Sequence, residues 1–345
     1  MNQKKEFIPS FLKSKQKELE KDSIVETQGK VILNKKVYRT IIASSVRFAN
    51  SQIPESDWAE VYGILIGHIE NGNILVSEAY PITHTMKKGH ILKVSYDSED
   101  YVHSVSIEEE SYKHDPPEFI VGWYHSHPGI KLMFSQDDIK NQLFWQQANP
   151  YAIGPVFNHV RLIKQSEISI KKDDAEIPLI NDPGFLIFRL KDPSKGLQSE
   201  YVQVPYEFSD AKIDEEFIEE AKYFVKSVTR LFPRENFYEK SKQNLEKELN
   251  KLEDIYSGTS SYITTLIREG KLDKIRNIVL SQYDELVKMI DSIDSDILLL
   301  KELVNYVEYK ERESIIPKMQ ELFEYWSDKK QEFLSKFQEL KEKYK

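Results

Sequence analysis

The chain has 345 residues, 40% of them hydrophobic and 30% charged, with a formal net charge of −9. That length accommodates two domains of ordinary size, and the acidic balance argues against a general binder of nucleic acid or anionic membrane, which presents a basic face. The absence of cysteine excludes disulfides, thiolate metal sites and a cysteine-protease mechanism, so any metal must be held by histidine and carboxylate.

Residues 1–30 are rich in Lys and Glu without an apolar centre. They read as a charged extension with a short helix around Leu12 to Leu19, neither signal peptide nor membrane anchor. No apolar run approaches the roughly 20 residues that a membrane helix needs, and the cytoplasm is the expected location. Val31-Ile32-Leu33 reads as a strand, and Asn34 as the cap of a helix carrying Val37, Ile41, Val46 and Phe48. Residues 60–69 and 74–82 are β-rich runs around Asn71-Gly72, a strong hairpin signal. A helix is expected over 98–112, with Tyr101, Val102, Val105 and Ile107 on its inner side. His84, His90, His103 and His114 match no ligand spacing and read as surface residues.

The chain is organised around Gly122-Trp123-Tyr124-His125-Ser126-His127-Pro128. The apolar run Phe119-Ile120-Val121, entered from Asp115-Pro116-Pro117, makes this the end of a buried strand. Alternate residues of a strand point the same way, so His125 and His127 share a face while Ser126 points away. Pro128-Gly129 ends the strand, and Ser135-Gln136-Asp137-Asp138 precedes a helix over 138–147 with Ile139, Leu143 and Phe144 on one apolar face. Two imidazoles and the Asp138 carboxylate are three ligands of the kind zinc accepts, with a fourth position left for water. Ser135 and Asp138 also fit a helix cap with an acidic third position. A glutamate, Glu60, stands upstream at the start of a strand.

This spacing, His-x-His-x7-Ser-x2-Asp, resembles the metalloprotease motif of the JAMM, or MPN+, family, and Val121-Gly122-Trp123-Tyr124 is similar to the branch found in the proteasome lid and the COP9 signalosome. The resemblance covers residues 31–208 and fades beyond. It implies a mixed α/β MPN domain, a mixed sheet flanked by helices, and one zinc ion held by His125, His127 and Asp138. It further implies Glu60 as the proton acceptor, before the Gly-containing strand Val61-Tyr62-Gly63-Ile64-Leu65-Ile66-Gly67, and Ser135 as donor to the developing oxyanion. The implied reaction is hydrolysis of the isopeptide between a ubiquitin or ubiquitin-like C-terminus and a lysine amine, in or beside a proteasome-like assembly. An insertion in the family closes over the extended tail of the substrate, and Ile91-Leu92-Lys93-Val94 is suited to pair with such a tail or to serve as an ordinary strand. Many relatives carry a strand ending in Asp-Pro where this chain has Ile153-Gly154-Pro155-Val156-Phe157-Asn158.

Strands are expected over 151–157, 185–190 and 201–206, with a charged insertion over 160–183 that contains a hairpin around 171–175. From 209 to 345 the apolar residues recur at helical spacing, as in Phe217, Ala221, Phe224 and Val228, or Leu286 and Ile290, and about five helices are expected. This all-α region contains no histidine and is assigned to assembly, with an MPN-type partner subunit or with itself, because Phe217, Phe224, Leu286 and Trp326 call for a covering surface. Two competing functions are a non-catalytic MPN scaffold, whose kind loses the five-residue set, and a zinc peptidase or amidohydrolase on small conjugates, which has no need of the helical tail.

Overall fold

The computed structural model describes residues 29–88, 91–93, 98–165, 169–172, 175–178 and 181–344. The extension through residue 28, its expected helix, His90 and Val94 lie outside the described residues. The chain divides into two compact units, Met1–Thr229 and Arg230–Lys345.

In the first unit, β1 (Val31–Leu33) leads into α1 (Lys35–Phe48), and the Asn34 side chain accepts the Val37 N–H at 2.8 Å, closing the helix start as a cap should. The hairpin of β2 (Val61–Glu70) and β3 (Asn73–His84) turns at Asn71 (φ 50°) and Gly72 (φ 79°). A two-residue hairpin turn of this hand needs φ > 0 at both positions, which is why Asn-Gly announces it. β6 (Phe119–Ser126) pairs antiparallel with β2 and parallel with β7 (Gly154–Phe157), and β10 (Phe185–Leu190) flanks β7. Pro155 thus sits in an inner strand, between β6 and β10.

The residues expected as one strand over 201–206 form two, β11 (Tyr201–Gln203) and β12 (Tyr206–Phe208). β11 lies on β10 at one margin of the eight-stranded sheet, and β12 lies on β1 at the other. Only Val204-Pro205 separates them, so at about 3.3 Å per residue the sheet must curl until its margins meet. The Val204 N–H donates to Ile187 at 2.8 Å, and the Val31 N–H donates to Pro205 at 2.9 Å. Joining the margins in this way leaves little open edge.

α2 (Ser98–Ser111) corrects the expected inner face. Val102 is 70% exposed, and the buried positions are Asp100, Ser104, Glu108 and Ser111. The Glu108 carboxylate accepts the Ile120 N–H of β6 at 3.0 Å, so this helix docks through polar groups. α3 (Gln136–Ala148) begins two residues earlier than expected, and its Phe144 is partly exposed, in edge contact with Tyr101. His84 is half-buried and stacks on Phe48 at 4.1 Å instead of lying free on the surface. The short helix α4 (His159–Ile163) follows β7, and the unit also holds two small antiparallel hairpins, β4 (Met86–Lys88) with β5 (Ile91–Lys93) and β8 (Ser169–Lys172) with β9 (Ala175–Pro178).

The helix α5 (Glu215–Leu231) brings Phe217 onto Tyr38 of α1 with stacked rings at 5.3 Å, and Phe224 under the Arg39 guanidinium at 3.7 Å. The second unit holds α6 (Phe237–Arg268), α7 (Ile275–Leu303) and α8 (Tyr309–Lys343). The region after 209 therefore has four long helices among the described residues in place of the expected five, with Pro317 inside α8. Phe217, Phe224, Leu286 and Trp326 are all buried, so the four positions assigned to an outside partner are covered by the chain itself. Asp294 accepts the Trp326 indole N–H at 2.8 Å and pairs with Lys330.

Candidate metal centre

β6 delivers both histidines. His125 stands opposite Tyr62 of β2 on one side and Val156 of β7 on the other, and the His127 N–H donates to Phe157 at 2.8 Å. The β6–β7 approach behind them requires Gly122, where a Cβ would lie 2.2 Å from the Ile153 carbonyl oxygen. Asp138 reaches the same point from the first turn of α3. Its Oδ1 is 3.2 Å from His125 Nε2, its Oδ2 is 3.4 Å from His127 Nε2, and the two imidazole Nε2 atoms are 3.2 Å apart. All three side chains are buried, and their candidate donor atoms lie within 4.8 Å of one another.

The surroundings fix these groups. His127 Nδ1 faces the Lys131 carbonyl at 2.9 Å; a proton there makes that bond and leaves Nε2 a lone pair aimed at its neighbours. Burial alone would lower the His127 pKa, but hydrogen bonds to Asp138 and Lys131 and nearby carboxylate charge raise it. Burial opposes ionisation of Asp138, yet the charge of His125 and hydrogen bonds from both histidines and Ser135 hold it well below the usual carboxylate range. Ser135 caps α3 and is exposed; its Oγ accepts the Asp138 N–H at 3.2 Å, which leaves its O–H to donate outward.

Glu60 immediately precedes β2. Extending the antiparallel pairing Tyr62↔His125 by two residues sets Glu60 beside His127, and the strand period puts residues 60 and 62 on the face that carries 125 and 127. Its backbone is held on both sides: the Glu60 N–H donates to Thr85 Oγ1 at 2.9 Å, and the Thr85 N–H returns to the Glu60 carbonyl at 2.8 Å. Ser126 points away from the histidines, as the strand period requires, and its Oγ accepts the Val61 N–H at 3.0 Å.

Three features escape a reading of the sequence. The Tyr62 hydroxyl donates to Glu60 Oε2 at 3.1 Å, and burial, then the charge of Glu60, raise its pKa, so that it stays a donor. Trp123 stacks on His125 at 4.5 Å and donates its indole N–H to Gln142 at 2.8 Å. Asn158 donates to the Ile130 carbonyl at 2.7 Å and so pins the loop that follows His127. A tyrosine beside a candidate base, and a tryptophan two residues before a candidate ligand on one strand face, are the available signals.

Residues 26–151 match the family described as JAB1/Mov34/MPN/PAD-1 ubiquitin protease. Over 92 residues the chain is 37% identical to a protein named NAD(+) hydrolase TcpA from Theionarchaea archaeon (strain DG-70-1), the match covering 27% of this chain and 25% of that one. It is 29% identical over 143 residues to COP9 signalosome complex subunit 5 of Debaryomyces hansenii, covering 39% and 30% of the two chains. With 26S proteasome regulatory subunit rpn11 of Schizosaccharomyces pombe the identity is 27% over 106 residues, covering 30% and 33%. The chain thus spans about a quarter to a third of the length of these relatives. The domain that carries His125, His127 and Asp138 thus matches the JAB/MPN family model and is similar, at modest identity, to COP9 signalosome subunit 5 and proteasome rpn11.

Proposed function

We propose that the chain is a zinc-dependent isopeptidase that hydrolyses the bond between the C-terminus of ubiquitin, or a ubiquitin-like modifier, and a lysine amine. The observation that carries this reading is the convergence of a buried His125–His127–Asp138 triad with Glu60 on one face of β2 and β6.

The donor set suits zinc: two imidazole nitrogens and one carboxylate oxygen, no thiolate, and one further position open to water. The Nε2 atoms of His125 and His127 and the Asp138 oxygens that face them converge at 3.2–3.4 Å from one another, as a shared ion requires. Zinc, when bound, supplies a Lewis acid and lowers the pKa of its water to about 7.

The chain's own groups carry the proton. The Glu60 carboxylate takes it from the attacking water and returns it to the lysine nitrogen as the C–N bond breaks. The Ser135 O–H donates to the carbonyl oxygen as negative charge builds there, a contribution typically of about 3 kcal/mol.

Support for a ubiquitin-like substrate is the family's description, and support for an assembly is the naming of two relatives as complex subunits. We assign the assembly contacts, with an MPN-type subunit or a second copy, to Arg230–Lys345, where Leu272 and Leu298 are exposed. The activity named for TcpA is not carried over, since the match covers a quarter of that protein.

The test is to incubate the full chain with ubiquitin and ubiquitin-like conjugates, before and after chelation and after zinc is restored. Cleavage is expected to stop with the chelator and return with zinc. Cleavage indifferent to chelation, or zinc-loaded protein that cleaves no conjugate while hydrolysing NAD+, rejects the reading.

A further inference from the structure

Glu60 is fixed at its backbone on both sides. Thr85 clamps its N–H and its carbonyl, and Ser126 holds the next N–H. Three side-chain torsions remain between that backbone and the carboxylate, and a proton acceptor must point at its proton to within hydrogen-bond reach. Among the described residues, the side chain that engages this carboxylate is Tyr62, through Oε2 at 3.1 Å.

Tyr62 is an unusually rigid donor. Its ring lies 4° from the plane of Trp123 and 11° from that of His125, with centroids 5.9 and 5.6 Å away. Trp123 is in turn tied by its indole N–H to Gln142 of α3. Gln142 donates to the Ala152 carbonyl at 2.8 Å and to Gln146 at 2.9 Å, and Gln146 exchanges two hydrogen bonds with the backbone of Leu190 in β10. A chain of buried contacts thus runs from β10 through α3 to the phenol oxygen. A tyrosine needed only to fill this core would be served by its ring; here the hydroxyl ends on a carboxylate, not on the backbone.

We propose that Tyr62 is a positioning residue for Glu60: its phenol ties Oε2 and thereby presents Oε1 to the proton that Glu60 removes. This rests on the reading of Glu60 as proton acceptor. The same ring contacts His125, so one side chain aligns the base against a metal ligand, across strands whose residues are more than sixty positions apart in sequence.

The test uses the full-length, zinc-loaded chain with Tyr62→Phe, which keeps the ring and removes the hydroxyl. Zinc content and KM for a fluorogenic isopeptide conjugate should stay within about twofold of the parent, while kcat falls on the order of tenfold. In a Glu60→Gln background the same change should alter the residual kcat by less than about twofold, because no carboxylate remains to be aimed. A crystal structure of Tyr62→Phe should show the Glu60 carboxylate displaced from its parental position. If Tyr62→Phe does not fold, a crystal structure of the parent decides: a Glu60 carboxylate turned away from the Tyr62 hydroxyl overturns the proposal. An undisplaced carboxylate with kcat unchanged, or equal losses in the parental and Glu60→Gln backgrounds, overturns the proposal. Where the parent cleaves no conjugate, the isopeptidase reading falls by itself, and the position of the Glu60 carboxylate in the crystal still decides the role of Tyr62.

Discussion

Ser135 and Asp138 are joined twice: the Ser135 N–H donates to Asp138 Oδ2 at 2.7 Å, and the Asp138 N–H donates to Ser135 Oγ at 3.2 Å. This is a capping box, with aspartate where glutamate is usual, and the same carboxylate faces both histidines. The helix-cap reading and the metal-ligand reading of these residues are therefore compatible. The cap fixes the carboxylate rotamer before any ion arrives.

Two substitutions separate these roles. Asp138→Asn keeps an oxygen for the Ser135 N–H but loses the charge, so metal binding should weaken at least a hundredfold while the metal-free protein loses no more than about 1 kcal/mol. Asp138→Ala should lose both cap and metal. Elemental analysis and urea unfolding of the metal-free forms read the two effects; stoichiometric zinc in Asp138→Asn, or in the double variant His125→Ala, His127→Ala, refutes the ligand assignment.

Glu60→Gln should retain zinc and melt with the parent. The amide nearly matches the carboxylate in shape but cannot accept a proton, so kcat should fall at least a hundredfold. Single-turnover cleavage of a conjugate measures this directly. Parental turnover by the glutamine variant means that another carboxylate, Glu55 foremost, is the base.

His159, which is outside the candidate ligand set, supplies a pH dependence of stability. Burial pushes its imidazole down to about 4, and its ring meets Trp58 edge-on at 5.0 Å. An unfolded histidine titrates near 6.5, so between these values the unfolded chain holds a proton that the folded chain refuses. This group's contribution is complete above pH 6.5 and is lost as the pH falls through 4. His159→Phe, which keeps the edge contact, should therefore lose less unfolding free energy than the parent between pH 7 and 4, by about 2–3 kcal/mol. Parallel pH profiles for the two proteins in urea titrations count against it.

Truncation should depend sharply on where the cut falls. A chain ending at Thr229 retains Phe217 and Phe224 on α1, and its zinc content should equal that of the full chain. A chain ending at Ser209 strips both rings from Tyr38 and Arg39, and at about 3–5 kcal/mol for each buried phenylalanine removed it should be close to unfolded. Circular dichroism melts of the two fragments, matched for zinc, decide between them; equal melting temperatures mean that α5 contributes nothing to the first unit.

What the sequence discloses follows the range of the signal. Asn71-Gly72 and Asn34 act on neighbours within four residues, and both are legible. The pair His125 and His127 needs only the strand period. The inner face of α2 is not legible, because apolar periodicity is blind to a polar one: Glu108 is buried to satisfy the Ile120 N–H, a partner twelve positions away that no window of α2 contains. β11 and β12 read as one strand because their separation depends on the two margins of a sheet, not on any turn residue between them. Tyr62 is hidden inside an apolar run, since the hydroxyl that distinguishes it finds its partner only once β2 is placed on β6.

The junction at Val204-Pro205 also orders events during synthesis. β1 aligns Val31 with Tyr206, a pairing that cannot form until residue 206 of the 345 has been made. The strands and helix that hold His125, His127 and Asp138 are complete by Phe157, well before that point. A nascent chain can therefore assemble its triad on an open sheet, and the last strand to emerge from the first unit is the one that seals it.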